Sequence, residues 1–116
     1  MKRISMLAIV VMVAAALAAT ASAKTPKLTA SVSDPLNISL KVGTKSVKSL
    51  KAGKYTIVVK DTSSAHNFHL TGPGVNKTTS VSGKGTVTWK VTLKKGTYRF
   101  VCDPHKSFMK GSFTVK

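Results

Sequence analysis

Residues 102–109 have the sequence CDPHKSFM, and this short stretch holds the chain's one cysteine together with a histidine and a methionine. The thiolate of Cys102, the imidazole of His105 and the thioether of Met109 are soft or borderline donors, a set that favours copper over magnesium or calcium. Two residues separate Cys102 from His105, which allows a tight turn around one ion. The stretch therefore predicts a copper-binding loop.

A trigonal copper site takes two histidines and one cysteine, so a second imidazole must come from elsewhere in the chain. Residues 64–70, SAHNFHL, offer two candidates, His66 and His69. On a regular strand His66 shares a face with Phe68 and Leu70 while His69 points the other way, so both cannot point inward. We expect His66 to be the ligand, and His69 remains an alternative ligand or a partner that a bulge could re-aim.

These two motifs resemble those of the cupredoxin family, the small blue-copper proteins that include plastocyanin, amicyanin and azurin. In that family a His-Asn pair precedes a Cys-x-x-His loop that ends in Met; here these are His66-Asn67 and Cys102, His105 and Met109. The resemblance implies three equatorial copper ligands, a weak axial Met109 and an Asn67 hydrogen bond that steadies the ligand loop. Three residues separate His105 from Met109, between the two of amicyanin and the four of plastocyanin.

Taken singly, each residue also fits an ordinary structural role. A buried cysteine is commonly a small hydrophobic residue, and a methionine commonly fills a gap in a core. The combination favours the metal site, because the unpaired thiol of an exported chain calls for an explanation.

The first residues have the pattern of a secretory signal peptide. Lys2 and Arg3 precede an apolar run over residues 6–19, and a small-residue Ala-Ser-Ala follows. We expect residues 1–23 to be cleaved, leaving residues 24–116 as a single domain in the periplasm or outside the cell, with no transmembrane anchor. An uncleaved membrane anchor is the alternative, although the apolar run is shorter than the roughly 20 residues that span a bilayer.

After residue 24 the pattern is β throughout. Polar and apolar residues alternate in short runs, and the clearest run, Thr86–Leu93, puts Val87, Trp89, Val91 and Leu93 on one face. Glycine-containing turns separate the runs. This spacing predicts an all-β fold, a Greek-key β-sandwich or barrel of about seven to eight strands.

Aromatic residues adjoin both halves of the predicted site. Alternation places Phe100 and Cys102 on the core face of one strand, so the sulfur should emerge at the end of that strand. Phe68 and Phe100 are candidates for a dry wall that controls the polarity around the metal. Trp89 is a third candidate, although ordinary core packing explains it as well.

Charge is the second global property of the chain. Lys and Arg number 19 against three acidic residues, for a formal net charge of +16. Such a field attracts an acidic redox protein or an anionic surface, although the lysines also suit a solvated surface that keeps sheet edges from aggregating. We expect no nucleic-acid partner, because the lysines are scattered rather than gathered with stacking aromatics.

The resemblance also implies that His105 lies near the surface and acts as an electron port. The candidate docking residues around it are Pro104, Lys106, Phe108 and Lys110. The two lysines would favour an acidic redox partner.

Electron transfer is the natural use of such a copper site, and we expect a monomer. One alternative is a copper carrier or store with the same ligands, and another is a metal-free β-sandwich that binds or adheres through its basic surface. We do not expect an enzyme, because the chain has only three histidines and three carboxylates from which to build further metal centres.

Overall fold

The computed structural model describes residues 24–116; the predicted signal peptide, residues 1–23, lies outside the described residues. Within the described part the chain forms ten strands and one 3₁₀ turn. They are β1 (Lys27–Ser33), β2 (Asn37–Val42), β3 (Lys45–Ser46), β4 (Ser49–Leu50), β5 (Gly53–Asp61), β6 (His69–Gly72), β7 (Val75–Thr78), β8 (Gly85–Leu93), β9 (Gly96–Val101), the 3₁₀ turn Asp103–His105 and β10 (Lys110–Val115).

The strands form two five-stranded sheets that pack as a sandwich. One sheet has the order β3-β2-β1-β5-β8 and the other β4-β10-β9-β6-β7. Both are mixed, since β1 runs parallel to β5 and β4 runs parallel to β10 while the remaining pairs are antiparallel. The predicted all-β sandwich is confirmed. The strand number is ten rather than seven or eight, because β3 and β4 are two-residue strands with no periodicity to detect.

The core lies between the two inner faces. Alternate residues of β5, among them Tyr55, Ile57 and Val59, point inward, and those of β9 do the same. All the buried hydrophobic residues of the described chain lie between Leu28 and Val115. Residues 24–116 thus contain both sheets and the core between them, and their status as a single domain stays a prediction.

The predicted inward face of β8 is only half buried. Val91 and Leu93 are buried, but Trp89 is partly covered and Val87 is 44% exposed. The opposing edge strand β7 has only four residues, so it does not extend over the first half of β8.

Strand direction brings three loops to one end of the sandwich. β1 and β5 are parallel neighbours, and β9 joins β6 through a His69–Val101 pair, so the loops 34–36, 62–68 and 102–109 meet. We call this the ligand end. Among residues 24–116, no helix has the length and apolar character needed to cross a membrane.

Candidate metal centre

The loop between β9 and β10 is closed by its own backbone hydrogen bonds. The amide of Cys102 donates to the carbonyl of Met109 at 3.0 Å, and the amide of Met109 donates to the carbonyl of His105 at 2.8 Å. The amide of His105 in turn donates to the carbonyl of Cys102 at 2.9 Å, and Pro104 fits the start of the 3₁₀ turn because it has no amide hydrogen to place. These bonds hold the predicted donors of the loop close together.

Three donor atoms converge between the loops. Nδ1 of His66 lies 3.1 Å from Nδ1 of His105, and each lies 3.6 Å from Sγ of Cys102. Zinc, a comparable first-row ion, holds histidine nitrogen and cysteine sulfur at about 2.0–2.3 Å, so donors at these separations can share one ion. The structure therefore brings together the three equatorial residues that the sequence predicts.

The outer nitrogen of His66 orients the ring. Nε2 lies 2.8 Å from the carbonyl oxygen of Pro35 and 3.1 Å from Oδ1 of Asp34. A carbonyl oxygen can only accept, so Nε2 donates to Pro35, and Nδ1 faces the other donors. Metal-bound histidines commonly have their second nitrogen held in this way.

Met109 completes the donor set. Its side chain is fully buried at the ligand end, and its backbone is bonded to Cys102 and His105 as described above. Two imidazoles, a thiolate and a thioether form the donor set that copper prefers among the common metals. The four side chains are positioned as a copper site, although their separate roles as ligands remain predictions.

Asn67 joins the two ligand loops. Its Oδ1 accepts from the amide of Asp103 at 2.7 Å, and its Nδ2 donates to Oδ2 of Asp103 at 2.7 Å and to Oγ1 of Thr78 at 3.0 Å. Asn67 is buried, and it thus holds the residue that follows Cys102. Asn67 thus bonds the loop that carries Cys102, and its role in steadying a metal site stays a prediction.

His69 is not part of the donor cluster. Its Nδ1 lies 3.0 Å from Oδ1 of Asp103, and its Nε2 lies 2.7 Å from Oδ1 of Asn76. His69 and Asn67 approach the same carboxylate, as expected for residues on one strand face. Of the two readings left open for His69, the structure places it as a partner of the site rather than at its centre.

Charge and hydrogen bonding stabilise this pair. The hydrogen bond to Asp103 raises the pKa of His69 above its ordinary value, and the bond to Asn76 acts in the same direction. Burial alone would raise the pKa of Asp103, but hydrogen bonds from Asn67 and His69 outweigh it, and the pKa lies below its ordinary value. At a pH between the lowered pKa of Asp103 and the raised pKa of His69, the carboxylate is negatively charged and the imidazole is positively charged.

An aromatic wall covers the inner side of the site. Phe68 and Phe100 are buried and stack with ring centroids 5.3 Å apart and an interplanar angle of 16°. Trp89 approaches Phe68 from the other side at 6.1 Å. A Cβ on Gly111 would overlap the ring of Phe100, which explains why a glycine faces that ring across the sheet.

The outer side of the site reaches the surface. His105 is half-buried, its chain neighbours Pro104 and Lys106 are exposed, and so is Lys110 at the start of β10. Phe108 is 74% exposed, an unusual degree for a large apolar side chain. The predicted docking residues are thus all exposed, and docking itself remains a prediction.

Sequence reasoning missed the residues that support His66 from outside. Ser63 donates through its hydroxyl to Oδ1 of Asp34 at 2.8 Å, and its amide donates to Oδ1 of Asp61 at 2.9 Å. Oδ2 of Asp61 is buried without a hydrogen-bond partner among the described residues, and burial raises the pKa of this carboxyl. No periodicity or spacing connects Asp34 with Ser63, because that contact joins segments about thirty residues apart.

A family model described as "Cupredoxin-like domain" matches residues 5–115. The chain belongs to the cupredoxin family. The predicted resemblance is confirmed, and the donor cluster at the ligand end is where this cupredoxin holds its candidate copper site. No curated protein matches the chain in sequence.

Solved structures support the same fold. A structure of reduced rusticyanin is similar with a TM-score of 0.58 at 21% identity, covering 82% of this chain and 81% of the other. Rusticyanin from Thiobacillus ferrooxidans has a TM-score of 0.56 at 22% identity, covering 82% and 79%. Dithionite-reduced auracyanin from the photosynthetic bacterium Roseiflexus castenholzii has a TM-score of 0.56 at 23% identity, covering 79% and 98%.

Proposed function

We propose that this cupredoxin carries single electrons through a type 1 copper site formed by His66, Cys102, His105 and Met109. The observation that supports it most is the convergence of two histidine nitrogens and one thiol within 3.6 Å at a buried position. A bound copper ion would supply the one-electron couple. The chain supplies the rest: it holds the donors and keeps water from their inner side.

Packing is what suits these donors to electron transfer. The ligand loop is fixed by its hydrogen bonds, by Asn67 and by the stacked pair Phe68 and Phe100. Donors that stay in place limit the rearrangement when the charge of the site changes by one electron. Because the thiol must lose its proton and the imidazoles must be neutral to bind, affinity for the metal should fall in acid.

The exposed surface around His105 is the proposed contact with a redox partner. Phe108 and Pro104 provide an apolar centre, and Lys106 and Lys110 provide positive charge at its edge. This composition suits an acidic protein surface, in which charge guides the encounter and the apolar centre excludes water.

We further propose that the protein acts after export, in the periplasm or outside the cell, as a monomer and without enzymatic activity of its own. The three histidines support the last point, since two serve the donor cluster and His69 is bonded to Asp103. A second copper centre of the kind that oxidases need has no imidazole left to use.

Copper carriage by the same residues is the competing function. A carrier and an electron carrier differ in whether both oxidation states stay bound. We expect copper-loaded residues 24–116 to give a reversible one-electron wave at an electrode, with the metal retained in both states against a chelator. Met109→Leu should keep the copper and raise the potential, by about 59 mV for each tenfold preference for Cu(I).

The same experiment can also contradict electron transfer. Loss of the metal to the chelator after reduction or after oxidation would favour the carrier. If the protein bound no copper at all, the remaining candidate function would be that of a metal-free domain that adheres through its basic surface.

A further inference from the structure

The charged side chains are distributed unequally between the two ends of the sandwich. All three acidic residues of the chain, Asp34, Asp61 and Asp103, lie at or just after the ends of β1, β5 and β9, which is the ligand end. Within the described residues, the opposite end carries lysines and no aspartate or glutamate side chain. Net charge alone therefore does not describe this surface.

Strand register shows which lysines lie together at the opposite end. Gly53 pairs with Leu93, which puts the start of β5 beside the turn that follows β8. The amide of Ala52 donates to the carbonyl of Lys116 at 3.0 Å, which adds the end of β10. We call this surface the basic end, and its exposed lysines are Lys24, Lys51, Lys54, Lys94, Lys95 and Lys116.

The charge of the basic end is not neutralised by ion pairs. Among residues 24–116 no lysine or arginine lies within ion-pair distance of a carboxylate, and the two close histidine–aspartate contacts are both at the ligand end. A cluster of exposed like charges repels itself, and a negatively charged surface relieves that repulsion. The basic end is thus complementary to an array of negative charges.

Distance separates this surface from the metal site. β8 has nine residues and runs between the two ends, so it spans about 30 Å at roughly 3.3 Å per residue. The Debye length at physiological ionic strength is about 8 Å, so these lysines scarcely influence the exposed His105 surface. The basic end therefore needs a role of its own.

The shape and composition of the basic end suit a surface better than a nucleic-acid strand. Proteins that bind single strands stack bases on exposed aromatic side chains. The aromatic residues nearest this end, Tyr55 and Tyr98, are buried, and their hydroxyls donate to the carbonyls of Lys51 and Pro73. Flexible lysines without aromatic neighbours match lipid headgroups, which offer charge without a fixed pattern.

We propose that the basic end docks on bilayers rich in anionic phospholipid and that docking directs the ligand end away from the membrane, toward soluble partners. The proposal does not require copper. Each lysine at an anionic surface should strengthen vesicle partitioning roughly fivefold at low ionic strength, so three lysines together account for about a hundredfold.

The test uses residues 24–116 and vesicles of phosphatidylcholine with and without phosphatidylglycerol. We expect binding only to the anionic vesicles, lost at high salt. Two triple variants remove the same charge from different places: Lys51→Gln, Lys94→Gln and Lys95→Gln at the basic end, and Lys60→Gln, Lys77→Gln and Lys84→Gln elsewhere. The first should lower partitioning about a hundredfold and the second only a few-fold.

Equal losses in the two triple variants would show that net charge alone drives binding and would overturn the proposal, as would equal binding to neutral vesicles. Displacement from the vesicles by short duplex DNA at a lower concentration of phosphate would identify a soluble polyanion as the better ligand and would also overturn it.

The orientation of the bound protein is tested by acylating its lysines with and without vesicles present. Mass spectrometry then identifies which lysines are modified in each case. We expect protection of Lys51, Lys94 and Lys95 and unchanged labelling of Lys106 and Lys110. Protection of the last two instead would mean that the ligand end faces the bilayer, which contradicts the proposal whether or not the copper site exists.

Discussion

Asn67 joins the two ligand loops through its side chain. It bonds the amide and the carboxylate of Asp103 and the hydroxyl of Thr78 from a buried position. We expect Asn67→Ala to lower the free energy of unfolding by about 1–3 kcal/mol, because the backbone amide of Asp103 loses its acceptor and the partly exposed Asp103 carboxylate loses one of its donors. Urea unfolding of the metal-free protein measures this.

Asn76→Ala is the matched control for that substitution. Asn76 is exposed and contacts the ring of His69. Its loss should change the free energy of unfolding by less than about 0.5 kcal/mol. If the two substitutions had equal effects, Asn67 would not connect the loops.

The pair formed by His69 and Asp103 predicts a pH dependence of stability. The raised pKa of His69 means that its contribution is complete below the unfolded value of about 6.5 and is lost as the pH rises through the folded pKa. The lowered pKa of Asp103 means that its contribution is present above about 3.9 and is lost as the pH falls through the folded pKa.

His69→Ala should therefore destabilise the metal-free protein between about pH 4 and 6.5 and have less effect above that window. The expected size is at most about 1 kcal/mol, because both side chains are partly exposed to solvent. Urea midpoints at several pH values test it. A difference between wild type and variant that grows with pH would contradict the assignment.

At this scale the sequence predicted the donors and the hydrogen bonding of Asn67, but not the contacts that hold His66 from outside. Cys102, His105 and His66 are recognisable because few residue types bind copper. The contacts of His66 with Pro35 and Asp34 were not predictable, because they depend on how the loop after β1 folds over a segment thirty residues later.

At the scale of elements, β10 contributes to the aromatic wall because its Gly111 leaves space for the ring of Phe100. Gly111 pairs with Phe100 across the sheet, and a Cβ there would overlap the Phe100 ring. We expect Gly111→Ala to cost about 1–3 kcal/mol of stability by overpacking and to shift the visible bands of the copper-loaded protein, because Phe100 stacks on Phe68 beside the donors.

Gly72→Ala offers a matched control on β6. A Cβ at Gly72 would overlap the ring of Tyr98, whose hydroxyl is held at the carbonyl of Pro73, away from the ligand end. We expect a similar loss of stability with unchanged visible bands. If Gly111→Ala also left the bands unchanged, the wall would not influence the metal.

Strand prediction succeeded where alternation was long and failed where pairing was local. The alternation over Thr86–Leu93 predicted β8 to within one residue. β3 and β4 are held by hydrogen bonds to the neighbouring β2 and β10, which two-residue segments do not reveal. The exposure of Val87 likewise follows from the length of another strand, β7.

For the whole molecule, the distribution of charge matters more than its sum. The ligand end combines the three aspartates with the exposed Lys106 and Lys110 beside His105. We expect the double variant Lys106→Glu and Lys110→Glu to slow oxidation of the reduced copper protein by ferricyanide several-fold at low ionic strength, since an anion is no longer attracted. Stopped-flow measurement of the rate constant provides the test.

The control is the same charge reversal at the basic end, Lys51→Glu and Lys94→Glu, about 30 Å away along β8. It should have little effect, and high salt should remove the difference between the two variants. If both double variants slowed the oxidation by ferricyanide equally, electron exchange would not take place at the surface around His105. The net charge follows from the sequence alone. The separation of the aspartates from the lysines of the basic end depends on the direction of the strands, which the sequence does not give.

The most direct test of the copper site is the visible absorption spectrum of residues 24–116 titrated with Cu(II), beside Cys102→Ala. We expect an intense blue thiolate-to-copper band that saturates at one equivalent, bleaches reversibly with reductant and is absent from the variant. A colourless complex, or a band that survives in Cys102→Ala, would contradict a type 1 site built on Cys102.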